Sequence, residues 1–144
     1  MAEFSNEVLK SFRATETIPA FVVVSAAATN AAAEAERWDT VTGAILGISK
    51  TYAETGGAVV VVIAGAARCL AVASISAGAL LTPDTTAAGS FGYASETTQN
   101  VALAAASLTN NVIAPLLGIA LSNATASGTV QVLLQPHTRR IRFT

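Results

Sequence analysis

The chain has very few of the side chains that carry enzyme chemistry. Its 144 residues include one cysteine, Cys69, and one histidine, His137. A disulfide within the chain needs a second cysteine, and a multi-histidine metal site needs more than one histidine. The glycines are not followed by the Lys-Ser/Thr of a phosphate loop, and no G-x-G-x-x-G opens a helix. The sequence therefore predicts no enzyme activity, no metal and no cofactor.

One enzymatic alternative remains, a small hydrolase in which Cys69 is the nucleophile and His137 the base. Cys69 begins the apolar run CLAVASI, which is typical of a strand interior where a thiol is inert. Reaction of Cys69 with a thiol reagent in the folded protein would identify the hydrolase.

Charge is scarce, since only 12% of the residues are charged and the formal net charge is −1. Between Thr55 and Thr138 the only charged side chains are Arg68, Asp84 and Glu96. A neighbouring molecule can cover such a stretch at little desolvation cost. The composition thus favours a protein interface and argues against a nucleic-acid partner.

Long apolar runs are also absent, although the mean hydropathy is +0.55. The densest runs, Ala58–Ala67 and Val112–Leu121, are shorter than the roughly 18–20 residues of a spanning helix. Acidic residues precede the first apolar run, whereas secretory leaders begin basic. We expect a soluble protein with neither a leader nor a membrane partner.

Aromatic residues make up only 6% of the chain, and alanine and valine dominate the 52% that is hydrophobic. Small side chains remove less apolar area from water than leucine or phenylalanine. Because the conformational entropy to be overcome is similar, a lone subunit is expected to be marginally stable. The composition therefore predicts a homo-oligomer.

Short apolar runs bounded by Gly, Ser, Thr or Pro-Asp predict the fold class. They indicate an all-β protein, a small β-barrel or sandwich of short antiparallel strands with a short helix or two and an extended N-terminal arm. We expect the arm at residues 1–16 and a single β domain at 17–144. Predicted strands lie at Ile18–Val24, Ala44–Ser49, Ala58–Ala64, Arg68–Ile75, Ala79–Thr82, Phe91–Ala94, Ile113–Leu121 and Thr129–Leu134.

Three segments have helical character. Met1–Thr17 carries apolar residues spaced for a short helix or a docking arm. Ala26–Arg37 is alanine-rich but lacks an apolar stripe, so a helical turn or a loop is expected there, with Trp38 as its anchor. Val101–Leu108 is the best helix candidate after the N-terminus.

An internal correspondence links two parts of the chain. LGIS at Leu46–Ser49 and LGIA at Leu117–Ala120 each precede a glycine-led run, from Gly57 and from Gly128, and both features recur 71 residues apart. This layout predicts two hairpins of one design, by duplication or by convergent turn chemistry.

The sharpest charge feature is the C-terminal HTRRIRFT, which concentrates arginines in an otherwise charge-poor chain. On a strand, Arg140 and Arg142 would share one face, and they would either protect an exposed edge or meet an anionic partner. A basic-tail nucleic-acid binder is an alternative that salt-dependent DNA retention would reveal. The candidate partner contacts are Phe4, Phe12, Arg139, Arg140 and Arg142.

The order of the motifs resembles the capsid decoration, or cement, proteins of tailed bacteriophages. The matching segments are IPAFVVV at Ile18–Val24, ILGIS at Ile45–Ser49, GAVVVV from Gly57, ISAGALLTPD at Ile75–Asp84, GYA at Gly92–Ala94 and LLGIALSNATASGTVQVLLQP at Leu116–Pro136. The resemblance covers roughly residues 17–136. Two features depart from the family pattern: Ala79 stands where an acidic residue often follows the glycine, and Val101–Asn111 resembles an insertion or an altered crossover.

This resemblance implies a compact β-barrel or sandwich that binds and reinforces an assembled capsid, with the coat-protein lattice as its partner. It also implies a homotrimer on the outer capsid surface of the virion, made in the host bacterial cytoplasm. A tail or spike component of a virion is the structural alternative. The composition agrees with such a role, because a surface with few charges is suited to being covered by a partner protein.

Overall fold

The computed structural model describes residues 7–26, 34–38, 45–84, 92–96 and 112–141. Within these residues the secondary structure is entirely β, which confirms the predicted fold class. The strands are β1 (Val8–Ala14), β2 (Val23–Ala26), β3 (Glu34–Arg37), β4 (Ile45–Ser49), β5 (Ala58–Ala64), β6 (Ala66–Leu70), β7 (Leu80–Pro83), β8 (Ala94–Glu96), β9 (Val112–Ala120) and β10 (Thr129–Ile141).

The first five strands form a closed barrel in the order β1-β3-β2-β4-β5. β1 closes it by pairing in parallel with β3 and antiparallel with β5. The remaining neighbours are antiparallel. Closure satisfies backbone groups that an open sheet would leave free at its edges.

A barrel of so few strands has a narrow interior, because barrel diameter grows with strand number. The side chains buried inside are small: Ala14, Val22, Val24, Ala35, Ala53, Val59 and Val61 pack in one cluster with Ile18. The alanine- and valine-rich composition therefore matches the space available.

The last five strands form a sheet in the order β6-β10-β9-β7-β8. The order repeats that of the barrel. The strands β6, β7, β8, β9 and β10 correspond to β1, β2, β3, β4 and β5, respectively. Its two outer strands approach at a parallel bridge between Ala71 and Ala94, where the barrel pairs Ala14 with Ala35. We call residues 8–64 the first unit and residues 66–141 the second unit.

The pairing registers show that the two units are repeats. Ile48 pairs with Val62 in the first unit, and Ile119 pairs with Leu133 in the second, each residue 71 positions later. The unusual backbone conformations also coincide. The two non-glycine residues with positive φ among those described, Phe21 at 66° and Ser127 at 65°, correspond to Gly78 at 89° and Gly56 at 85°. The hairpin correspondence in the sequence thus extends to the whole five-stranded unit.

Two segments differ from the sequence-based expectation. Val8–Ala14 is extended, but it pairs within the barrel as β1 and does not stand outside the β domain as an arm. Glu34–Arg37 is the strand β3, where a helical turn or loop was predicted. There the helix propensity of alanine is overridden because barrel closure needs a small residue, the buried Ala35, opposite Ala14.

Among the remaining predicted strands, Ala58–Ala64 has the predicted bounds and the others are found with shifted ends, with Phe91–Ala94 sharing only Ala94 with β8. Ile18–Val24 is interrupted by the positive φ of Phe21, so β2 begins only at Val23. Ile75 lies beyond the end of β6 and makes an isolated bridge to Ala124. The helix candidate Val101–Leu108 lies outside the described residues.

Candidate functional site

The two residues of the alternative hydrolase, Cys69 and His137, are not brought together. Cys69 lies on β6 opposite Val130 of β10. His137 lies seven residues farther along β10, opposite Leu116. At the rise of a β-strand this separation is about 23 Å. The geometry therefore does not form a nucleophile–base pair from them.

The environment of Cys69 makes its thiol unreactive. The side chain is completely buried, and its Sγ lies 3.7 Å from the carbonyl oxygen of Gly92. Burial raises the pKa of the Cys69 thiol to about 12, against a smaller lowering by a hydrogen bond from the backbone of Ala94. The thiolate, which is the nucleophilic form, is thus essentially unpopulated near neutral pH.

We expect no reaction between Cys69 and a thiol reagent in the native protein at pH 8. In denaturant, the reagent should modify one thiol per chain. Since the pKa of a cysteine is 9.0 without burial, the unfolded chain ionises first as the pH rises. The free energy of unfolding should therefore fall between pH 9 and about pH 12, by about 1.4 kcal/mol per pH unit at most. Urea titrations across this range measure the slope.

Cys69→Ala is the control for this titration, because it removes the thiol and leaves the rest of the chain unchanged. The wild-type protein should lose more stability than the variant as the pH rises. Equal pH dependence of stability in the two proteins, or rapid labelling of the native protein at pH 8, would show that the thiol is accessible. Either result would support the hydrolase alternative.

Nowhere in the described part of the chain do three His, Cys, Asp or Glu residues lie close enough to hold a metal ion. No helix suited to crossing a membrane occurs in those ranges either.

The two units meet through a row of apolar side chains on the outer face of the first unit. Val23 pairs with Ile48 and Ile48 pairs with Val62, while the N–H of Trp38 donates to the carbonyl oxygen of Val23 at 2.9 Å. Cross-strand partners lie side by side on one face of a sheet. We call these four residues the junction row, and each is at most 2% exposed.

The junction row is covered by the second unit. It shares a single hydrophobic cluster with Ala67, Leu117 and Leu134 of that unit. Burial of such side chains is the main source of stability in a small domain. The contact between the units is thus part of the core.

Backbone hydrogen bonds also cross the junction. The N–H of Leu70 donates to the carbonyl oxygen of Phe21, and the N–H of Val23 donates to that of Gly92, both at 2.8 Å. Gly92 has φ of +81°, and a Cβ on it would lie 2.9 Å from the Val23 oxygen. The close approach of the two units therefore requires glycine at this position.

The second unit carries an equivalent row that is not covered in the same way. Leu80 pairs with Ile119, and Ile119 pairs with Leu133; these residues correspond to Val23, Ile48 and Val62. Leu80 is 38% exposed, and the other two are half-buried. We call Leu80, Ile119 and Leu133 the open row.

The C-terminal arginines lie on a two-stranded ribbon. β6 pairs with β10 only as far as Leu133, whereas β9 pairs with β10 to Ile141. Arg139 lies opposite Ala114 and Arg140 opposite Ile113. Both arginines are therefore on a strand, as the sequence predicted. Arg142 lies outside the described residues.

The two candidate phenylalanine contacts have different positions. Phe4 lies outside the described residues. Phe12 is on β1, half-buried against the core of the first unit, with the Lys10 ammonium 6.0 Å from its ring centre. Sequence reasoning did not identify the open row, because its residues come from three separated strands. The signal that would have found it is the repeat, which aligns it with a row in the other unit.

The fold defines the class of protein as a tandem of two five-stranded β units. No family model matches the chain, and no curated protein matches it. Among solved structures, it is similar to the head fiber gp8.5 N base of bacteriophage phi29, with a TM-score of 0.61 and 15% sequence identity. The similarity covers 89% of this chain and 93% of that chain. At this identity it shows a shared fold.

Proposed function

We propose that the chain is a structural protein of a bacteriophage virion that binds the outer surface of the assembled capsid and reinforces it. The observation that carries this proposal is the shared fold, over nearly the whole chain, with the base of a phage head fiber. Fold alone does not determine function. The surface chemistry of the chain supplies the second argument.

The surface suits a partner that covers a large area. Few charges have to be desolvated, since only 12% of the residues are charged. Several large apolar side chains are exposed in the described part of the chain: Val8 at 51%, Leu9 at 45%, Tyr52 at 58%, Leu80 at 38% and Leu121 at 46%. Apolar surface with few charges is characteristic of the central part of protein interfaces.

The assembled lattice, more than the free coat protein, is the proposed partner. A homo-oligomer, which the family resemblance implies is a trimer, presents several identical contacts at once. Weak contacts add to strong binding only where the target repeats them at a matching spacing. Such a protein is made in the host cytoplasm and joins the shell after the coat has assembled.

The test mixes the purified protein with coat-only shells and with disassembled coat protein from the phage that encodes it. We expect saturable binding to shells, at least roughly tenfold weaker binding to free coat protein, and a higher rupture temperature for decorated shells. Bound copies are measured by sedimentation and rupture by light scattering. Equal binding to both forms, or an unchanged rupture temperature at saturation, would rule out reinforcement.

The three C-terminal arginines are tested in the same assay. Changing Arg139, Arg140 and Arg142 to Gln should weaken shell binding and flatten its salt dependence, because contacts between exposed charges are screened by salt. Arg68→Gln removes an exposed cation from β6 and serves as the control. Unchanged affinity of the triple variant across a salt series would leave edge protection as the role of these residues.

A second candidate is a component that projects from the virion, as a tail or spike protein or as the base of a fiber. The observation favouring it is that the structural neighbour is itself the base of a head fiber. Electron microscopy of particles labelled with an antibody to the chain separates these roles. Label confined to the tail supports a tail or spike protein. Label on the head supports either decoration or the base of a head fiber, and only decoration should raise the rupture temperature of the shells.

A further inference from the structure

The open row is the repeat equivalent of a surface that already serves as an interface. In the first unit, Val23, Ile48 and Val62 are covered by the second unit and are at most 2% exposed. In the second unit, Leu80, Ile119 and Leu133 occupy the same register positions. We propose that the open row binds the first unit of a second copy of this chain, repeating the internal junction between molecules.

The complementary surface is present on the first unit. The second-unit residues in the same hydrophobic cluster as the junction row include Ala67, Leu117 and Leu134, all at most 7% exposed. Their equivalents in the first unit are Lys10, Leu46 and Ile63. Lys10 is exposed, and Leu46 and Ile63 are only half-buried. The surface that would receive an open row therefore has two half-buried aliphatic side chains, which pack against the core of the first unit, beside the aliphatic stem and ammonium of Lys10.

The occupant is specified by the repeat. A second copy offers a surface built on the same strands, in the same register, as the one that covers the junction row. A continuous aliphatic row without charge also disfavours a nucleic acid or an anionic ligand. The contact that joins the two units within one chain can thus also form between two chains.

The contact is head-to-tail, since the open row of one copy meets a different surface on the next. Such contacts close into a ring when the rotation between copies permits it, and otherwise continue as a filament. This inference depends on the repeat alone and would stand if capsid binding failed.

The first experiment measures self-association of the full chain by analytical ultracentrifugation. We expect the wild-type protein to be oligomeric at micromolar concentration. Leu80→Lys places a charge in the open row and should weaken association by roughly tenfold or more. Tyr52→Lys changes an exposed side chain between β4 and β5, outside both surfaces, and should leave association unchanged.

The second experiment identifies which surfaces meet. In a Cys69→Ala background, Leu80→Cys and Lys10→Cys are introduced in separate chains and treated with a short bifunctional maleimide. A mixture of the two should yield a covalent dimer, while each chain alone should yield little. Tyr52→Cys mixed with Lys10→Cys is the control and should not crosslink. Circular dichroism checks that every variant is folded.

The outcomes are distinct. A monomeric wild-type protein, or an oligomer that Leu80→Lys does not weaken, overturns the proposal. Crosslinking of Leu80→Cys with itself indicates a two-fold contact through the open row and also overturns it. A monomer destabilised by Leu80→Lys would mean that the chain's own residues cover the row.

Discussion

Gly47→Ala is expected to abolish the native fold. A Cβ at this position would lie 2.0 Å from the carbonyl oxygen of Val62 and 2.9 Å from its carbonyl carbon. These are backbone atoms of β5, the strand paired with β4, so no side-chain rotation relieves the overlap. Moving the strands apart would break the ladder that joins Ile48 to Val62 and Ser49 to Val61. The cost should be on the order of 5 kcal/mol, comparable to the whole stability of a small domain.

Far-ultraviolet circular dichroism and thermal denaturation measure this effect. Gly56→Ala is the control, because a Cβ on Gly56 has nothing within 4 Å and the only penalty arises from its φ of +85°. That penalty is roughly 1–2 kcal/mol. A Gly47→Ala protein that melts within a few degrees of the Gly56→Ala protein would show that β4 and β5 do not approach as closely as described.

Trp38→Ala is expected to separate the two units and to destabilise the protein by about 3–5 kcal/mol. Trp38 is completely buried at the end of the junction row and packs in the cluster that joins both units. Removing it leaves a large cavity where Val23 and Ile48 meet the second unit. The substitution removes the only tryptophan of the chain, so urea denaturation of this variant is followed by circular dichroism instead of tryptophan fluorescence.

Trp38→Phe tests how much of the effect arises from lost side-chain volume. The Nε1 of Trp38 is buried and has no hydrogen-bond acceptor among the described residues, so the phenylalanine variant loses little besides volume. It should cost clearly less than the alanine variant. Tyr52→Ala, at a side chain that is 58% exposed, should change stability by no more than about 0.5 kcal/mol. Equal costs for Trp38→Ala and Tyr52→Ala would place Trp38 outside the core.

Intrinsic fluorescence of the wild-type protein provides an independent readout of the junction. If the units unfold together, the Trp38 fluorescence and circular dichroism transitions should coincide. This follows because the junction row belongs to the same hydrophobic cluster as the interior of the second unit.

Local chemistry made several strands predictable. Ala58–Ala64 is a strand with the bounds that its β-branched run predicted, and Ile45–Ser49 follows the predicted segment closely. Turn chemistry also gave the hairpins, since the strands paired across them keep one register in both units. These features depend on residues close together in the chain, where propensity and turn preference act directly.

Elements that depend on distant partners were harder to predict. The apolar spacing of Met1–Thr17 fits a helix or an arm equally well, and only the pairing of Val8–Ala14 with β5 selects a strand. At Glu34–Arg37 the alanine content favours a helical turn, but β1 and β2 on either side impose an extended conformation. In both segments non-local hydrogen bonding outweighs a weak local preference.

The sequence by itself determined the β class, the repeated hairpin and the inert setting of Cys69, because strand propensity, glycine-bounded turns and apolar alternation are local properties of the chain. Only the tertiary structure decided that β1 closes a barrel and that one apolar row is covered while its repeat is open. Val23, Ile48 and Val62 have nearly the same character as Leu80, Ile119 and Leu133. Their different burial arises from where the second unit docks, which depends on packing between residues far apart in the chain.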